Sequence, residues 1–531
     1  MTTTVQSLPH HGTSKKINAL LVALLLFGAT IAAFFVARFA GLWMNGDTLR
    51  LTQTIFATQS SGTLTPPGDS YQQGYGYPAV SVALLSATGL SVQQLQTQVY
   101  PFLAIVGVGV VAFALYSQVL GMPVAAVLAT LMLLLQPDFL FVTLRGSHEK
   151  LGWPLMMLAL LLLHRSLGQP LRRLAIYLVL FYAVVYAMIA VNVFFASVFL
   201  TAVSVGLGLG LTIETLRRRQ QRPRADLRRL LYVVTSGGIL VYIFITYLYA
   251  PALANLRLLR SIVEQVSALL LSFEFQAQPY NYIDFGWVSR PVYLGLTVFT
   301  WLLIVASLAE WLRRGWRLLR GADEFDLQAN LDWLLYAGFA IQVGVSIVVD
   351  FAGVLGGNLQ LRVFPGFTVL AVVLLAHAVY AIVTRLNMPR KTQRATLVLA
   401  GLAAAWFATA AVLKASNDPV VSNKWGFYSP QEASSLQWVD FHLTYSTVWT
   451  SFDERLSTAF AFLELGQPGA GNIIAGFTFK PEYQYVLYSD AENVRGLRMG
   501  LAMPAVIGWS RVYDSGQVYL YHERPVTPFQ Q

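Results

Sequence analysis

Apolar residues in this 531-residue chain gather into runs of about 20, the length of helix that crosses a hydrocarbon core. The runs at 18–40, 95–118, 122–142, 152–167, 174–191, 193–213, 230–250, 292–312, 332–354, 366–385 and 395–413 predict eleven transmembrane helices. Two long segments between them, 43–94 and 251–291, are too polar to span and predict loops. In the second, Leu256, Leu259, Val263, Val266, Leu270 and Phe273 recur at helical spacing, with Arg257, Arg260, Glu264 and Gln265 between them. That pattern predicts an amphipathic helix in the membrane interface, which would either seal the loop to the bilayer or guide a lipid substrate. After Lys414 no apolar run is long enough to span. "STVWTSF" (446–452) alternates as a strand, "DERLSTAFAFLELG" (453–466) has helical periodicity, and "SRVYDSGQVYLYHE" (510–523) predicts a hairpin around Asp514-Ser515-Gly516. The expected architecture is a polytopic α-helical membrane domain over 1–414 and a mixed α/β domain over 415–531.

Composition places the chain firmly among membrane proteins: 56% of residues are hydrophobic, 12% are charged, and the mean hydropathy is +0.56. A net charge of +10 could signal nucleic acid, but Lys and Arg sit in short tracts between apolar runs, without the clustered face that nucleic acid needs. Topology accounts for them. With the N-terminus inside, 20 of the 36 basic residues fall in a few loops on one side, including the seven arginines from Arg217 to Arg229. The C-terminal domain is then extracytoplasmic, on a multi-pass plasma-membrane protein. Cysteine is absent, which removes disulfides, thiolate metal sites and thiol nucleophiles. The first span is long, Phe-rich and without a small-residue cleavage site, and is expected to remain as an anchor.

Charges that topology does not explain lie at the outer ends of spans, where an ionisable group is costly unless it is paired or used. They are Asp47 and Asp69 in the first loop, Asp138, Arg145, His148, Glu149 and Lys150 near the second, Glu264, Glu274 and Asp284 in the fourth, and Asp350 and Arg362 around the fifth. A secondary transporter would place such groups mid-span in matched, broken halves, and no internal repeat is visible here.

Three of these outer stretches carry a resemblance. An acid just past the first span in "GLWMNGDTLRL" (41–51), the "GYGYP" turn (74–78) and "RGSHEKLGWP" (145–154) resemble the GT-C class of membrane glycosyltransferases. "YSPQEASSLQWVDFH" (428–442), "STVWTSFDERL" (446–456) and "RVYDSGQVYLY" (511–521) are similar to the soluble domains of uncharacterised archaeal and bacterial members. The resemblance implies transfer of a sugar from a polyprenyl-phosphate-linked donor at the outer face, with Asp47 beside the acceptor as base. A fixed carboxylate can take the proton of an attacking hydroxyl. The competing reading is that Asp47 caps a helix beginning at Thr48.

A departing lipid phosphate needs cations. Related members carry an arginine in the outer loop of "GGNLQLRVFPG" (356–366), so Arg362 is the first candidate, against a reading as a snorkelling anchor. Arg145 and Lys150 are second candidates. In oligosaccharyltransferase catalytic subunits, which the chain distantly resembles, the second loop carries an Asp-x-Asp-like pair that holds a divalent metal with the first-loop acid; here it reads "SHEK". Asp47, His148 and Glu149 would be the ligands of manganese or magnesium, or Glu149 would instead form a salt bridge with Arg145 or Lys150. Either way Glu149 is the expected partner of Asp47. No Trp-Trp-Asp run occurs, which argues against asparagine glycosylation and leaves a glycan, a lipid or a hydroxyl-bearing protein as acceptor. Tyr75, Tyr77 and Trp425, with Tyr428, would stack on sugar rings or belong to an interfacial aromatic belt. The expected partners are a lipid-linked sugar donor and membrane lipids, with no nucleic acid. The alternative function is a catalytically silent scaffold or accessory subunit of an envelope assembly.

Overall fold

The computed structural model describes residues 12–65, 73–217, 221–272, 290–320, 325–352, 359–385, 390–422, 425–443, 446–450, 453–466, 472–476, 483–501 and 505–523. The helices of the membrane portion are α1 (Gly12–Phe39), α2 (Gly46–Ser61), α3 (Gly76–Thr88), α4 (Val92–Gln94), α5 (Tyr100–Leu120), α6 (Pro123–Leu134), α7 (Pro137–Leu144) and α8 (Glu149–Ser166). They continue with α9 (Leu171–Val191), α10 (Val193–Arg217), α11 (Gln221–Ile243), α12 (Ala254–Ser272), α13 (Arg290–Leu319), α14 (Leu327–Phe351), α15 (Leu359–Arg385) and α16 (Arg390–Ala415).

Nine helices among the described residues are long and apolar enough to cross a membrane. Of the two other expected spans, one is a bent helix pair that makes a tenth crossing if taken as one span, and one falls outside this set. The run at 122–142 is not one helix but α6 and α7, bent by 73° at Gln136–Pro137. Proline has no N–H to continue the ladder, and the buried Gln136 side chain instead accepts from Phe139 N at 2.5 Å and restarts the helix. The run at 152–167 lies in α8, an 18-residue helix that also holds Glu149, Lys150 and Arg165 and falls outside the set of apolar crossings.

The amphipathic segment forms the expected helix, α12, on which partly buried Ile262 and Val266 and buried Leu269 pack against Val349, Ala352, Leu359 and Val363 at the facing ends of α14 and α15. Val263 and Leu271 stay exposed. One face thus packs on protein. Phe273, and the side chains of Leu256, Leu259 and Leu270, lie outside the described residues, as do Asp69, Glu274 and Asp284.

The C-terminal residues form α17 (Pro430–His442), β1 (Thr447–Thr450), α18 (Glu454–Phe462), β2 (Asn472–Ala475), β3 (Tyr485–Ser489), α19 (Asp490–Met499), β4 (Ser510–Asp514) and β5 (Val518–His522). The sheet order is β2-β1-β3-β5-β4. β1 is parallel to β2 and β3, while β3-β5 and β5-β4 are antiparallel. The predicted strand, helix and hairpin are all present, and Gly516 turns the hairpin with φ 80°. Strands β2 and β3 went unpredicted, being short segments without a clear alternation.

This domain is joined to the first loop. Met44 N donates to the Gly426 carbonyl at 2.6 Å, Tyr428 N donates to the Leu42 carbonyl at 3.0 Å, and Trp43 pairs with Phe427 as an isolated bridge. Met44 is buried in the domain core with Tyr428, Leu436 and Phe460, and Leu42 and Leu49 pack against it. The start of α2 is therefore held by the sheet domain as well as by the helix bundle.

Candidate active site

Asp47 occupies the first turn of α2, but it does not cap that helix. Asn45 does: its Oδ1 accepts from Thr48 N at 3.0 Å, and Thr48 Oγ1 accepts in return from Asn45 N at 3.4 Å. The capping role weighed for Asp47 is thereby filled by another residue. The Asp47 side chain is left 51% exposed, with one oxygen 3.0 Å from Arg145 Nη1.

Arg145 stands there because α7 is short. The bend at Pro137 directs α7 across the bundle end, the helix stops at Leu144, and Arg145 follows in extended conformation, with φ −66° and ψ 155°. Gly146 then lies flat on α2: a β-carbon at that position would come within 2.6 Å of both Gln96 Oε1 and Thr48 Cγ2. A side chain at residue 146 would push Arg145 away from Asp47. The Arg145 guanidinium also donates to Glu149 Oε1 at 2.5 Å and to Ser147 Oγ at 3.2 Å, over the Phe141 ring. Arg145 is thus a fixed bridge between the two acids.

Burial would raise the Glu149 pKa, but Arg145 and then His148 outweigh it and hold the carboxylate below its usual range. Its Oε2 is buried without a hydrogen-bond partner among the described residues, 3.7 Å from His148 Nε2. Trp153 Nε1, one turn along α8, is another buried polar atom without a partner among them. Burial is also the main influence on His148, and its pKa is lowered. The ring contacts the side chain of Asn192, whose Oδ1 caps α10 by accepting from Phe195 N at 2.8 Å. The "GYGYP" turn reaches this same corner. Gly74 and Gly76 lie against the backbone of Ala190 and Val191, and Val193 N donates to the Gln73 carbonyl at 2.7 Å.

Arg362 arrives from the start of α15. Asp350 is wholly buried and accepts from Leu359 N at 2.7 Å and Gln360 N at 2.9 Å, capping the helix so that Arg362 falls in its first turn. Among the described residues no carboxylate pairs with Arg362.

Asp47, Arg145, Glu149 and Arg362 line two adjoining cavities at the end of the bundle that carries the sheet domain. The larger, about 510 Å³, adds Asp138, Trp153, Tyr293, Leu361 and Lys414. The smaller, about 160 Å³, adds Arg50, Gln73, His148, Asn192 and Phe195. Lys414, at the end of α16, is a lining residue that the sequence reading did not single out. A lone cation at the end of an apolar span is the signal that could have found it.

Other candidates are not brought to the cavities. Lys150 is buried beside the Gln96 carbonyl at 3.4 Å and over the Tyr100 ring, and burial followed by Arg145 pushes its pKa well below the lysine range. Tyr77 donates to Gln96 Oε1 at 2.8 Å, Tyr75 stacks on Phe244, and Trp425 donates to the Ser422 carbonyl at 2.6 Å. All three thus make contacts within the protein. The expected metal ligands do not assemble either: among the described residues no three His, Asp or Glu side chains form a metal-holding group. Arg145 binds both Asp47 and Glu149, so a guanidinium stands where a shared cation would have to lie.

His148 yields a pH prediction. Its folded pKa lies below the ordinary value of about 6.5, so on acidification the unfolded chain takes up the proton first. Its contribution to stability is full above that value and is lost as pH falls toward the folded pKa. Thermal melting in detergent at about pH 7.5 and pH 5.5 is expected to show a smaller acid-induced drop for His148→Gln than for wild type. Equal drops would exclude His148 as the titrating group.

No protein-family model matches the chain, and no curated protein matches it in sequence. Solved structures do. The apo crystal structure of ArnT from Cupriavidus metallidurans superposes with a TM-score of 0.50 at 15% identity, covering 96% of this chain and 98% of that one. The same protein bound to undecaprenyl phosphate gives 0.48 at 14% identity, with the same coverage. The mycobacterial arabinofuranosyltransferase AftD gives 0.37 at 14% identity, covering 96% of this chain but 40% of its own. At such identity the likeness is one of fold alone, and along nearly its whole length the chain has a fold like that of ArnT.

Proposed function

We propose that this protein transfers a sugar from a polyprenyl-phosphate-linked donor to a hydroxyl-bearing acceptor at the outer face of the membrane. The observation that carries this reading is the convergence of an exposed carboxylate, Asp47, with Arg145, Arg362 and Lys414 around one cavity of about 510 Å³. In this reading the acceptor hydroxyl gives its proton to Asp47 as its oxygen bonds to the anomeric carbon, and the bond from that carbon to the phosphate oxygen breaks. The lipid phosphate leaves with the electron pair, its charge met by Arg362 and Lys414. Glu149 acts through Arg145, fixing the guanidinium that in turn orients Asp47. The unpartnered Trp153 Nε1 is a donor available to donor-sugar or phosphate oxygens.

The test supplies radiolabelled lipid-linked sugars to membranes that contain or lack the protein. Label reaching an acceptor only when the protein is present supports the reading; no transfer with donor present favours the silent scaffold. Within an active preparation, Arg362→Leu is expected to raise the donor KM about 10- to 100-fold, the loss of one charged hydrogen-bonding partner. Arg362→Lys should recover part of that loss. An unchanged KM in Arg362→Leu would make the residue a membrane anchor.

A further inference from the structure

The far end of the bundle carries a recess that the proposed reaction does not use. α9 ends at the catalytic corner and α10 starts there, so the start of α11 lies at the opposite end. Between α9 and α11 runs a groove of about 640 Å³. Its floor is a stripe of α11 at helical spacing, Ala225, Val233 and Ser236, whose small side chains leave the room. Arg229 lies on the same stripe, while Arg228 and Tyr232, four residues apart, form the neighbouring wall. Tyr182 of α9 closes the inner end, donating to the Val233 carbonyl at 3.2 Å and lying 2.5 Å from Ser236 Oγ.

The arginines lie within the span, which begins at Ala225, about 5 Å along the helix from its start at 1.5 Å per residue. That is the depth of lipid headgroups. Arg228 is exposed and has no carboxylate partner among the described residues. Among the described residues the ion-pair partner of Arg229 is the half-exposed Asp226 at 3.6 Å, a contact that solvent screens. Tyr232 is 70% exposed along the groove, an amphipathic ring suited to the interface.

We propose that this groove holds the headgroup of an anionic glycerophospholipid, its phosphate between Arg228 and Arg229 and its glycerol against Tyr232. The guanidinium forks match phosphate oxygens, and the small floor residues admit the glycerol. The proposal is independent of the transferase reading. Its test is native mass spectrometry of the full-length protein released from nanodiscs of mixed phosphatidylglycerol and phosphatidylcholine. Wild type is expected to retain phosphatidylglycerol preferentially, and the double variant Arg228→Gln/Arg229→Gln to lose that preference by about tenfold or more. Ser236→Leu, which fills the floor and keeps both charges, should lose it too. Arg172→Gln/Arg173→Gln, which removes two exposed arginines from the same end, should not. Retention by the first two variants, or equal loss in the Arg172/Arg173 control, would overturn the site in favour of general attraction to a basic rim.

Discussion

Asp47→Asn is expected to reduce sugar transfer by about 10²- to 10⁴-fold, the usual contribution of a positioned general base, with protein abundance and melting temperature little changed. The second half of that expectation rests on the N-terminus of α2. Asn45 and Thr48 already form the reciprocal cap, so the helix keeps its backbone partners when the charge is removed. The pair with Arg145 involves a side chain 51% exposed, and such pairs contribute about 0–1 kcal/mol. Asparagine retains the shape and can still accept from Arg145, but it cannot take a proton. Transfer by labelled lipid-linked donors, measured at equal protein amount, separates the readings. Full activity in Asp47→Asn would sink the base assignment; lost activity with an intact melting profile would support it.

Arg455→Met is expected to destabilise the sheet domain by about 3–5 kcal/mol, the cost of removing one partner from a buried charge group. Arg455 is 4% exposed, and its guanidinium donates to both oxygens of Asp453, at 2.9 and 2.5 Å, and to Glu432 Oε1 at 3.0 Å. Burial opposes its charge, but Asp453 and Glu432 outweigh burial and hold its pKa above the usual arginine range. With the cation gone, buried Asp453 keeps Arg495 at 3.2 Å, itself shared with Glu454, while buried Glu432 loses its ion pair and keeps the Ser429 N–H at 2.7 Å. The effect should extend to the cavity. Arg455 Nη1 also donates at 2.7 Å to the carbonyl of Phe427, the residue bridged to Trp43 just ahead of α2. Thermal melting and limited proteolysis of the full chain provide the readout, with new cleavage inside the C-terminal domain as the expected sign. Unchanged melting and cleavage would show that the network is dispensable.

Much of the membrane domain was legible because crossing a bilayer is a local demand: each span must itself be apolar for about 20 residues and satisfies its own backbone. The same locality made β1, α18 and the β4-β5 hairpin readable, since alternation, helical spacing and a turn glycine all lie within a few residues. It failed at Gln136–Pro137, where an apolar run concealed a 73° bend, and in the C-terminal domain, where β2 and β3 are short and pair with strands distant in sequence.

The sequence by itself determined the class of fold and the supply of chemistry: charged residues at the ends of otherwise apolar spans, Asp47, Arg145, Glu149 and Arg362 among them. Only the tertiary structure decided which of them meet. Asn45 displaced Asp47 from the cap, Gly146 let the second loop lie on the first, and Arg145 came between two acids that resembled metal ligands. Lys414 was drawn into the cavity from the last span, while Lys150, adjacent to Glu149, was turned away into the core. The physical reason is that periodicity is set over three or four neighbours, whereas a cavity is lined by residues from distant loops whose positions depend on how helices bend, cap and pack.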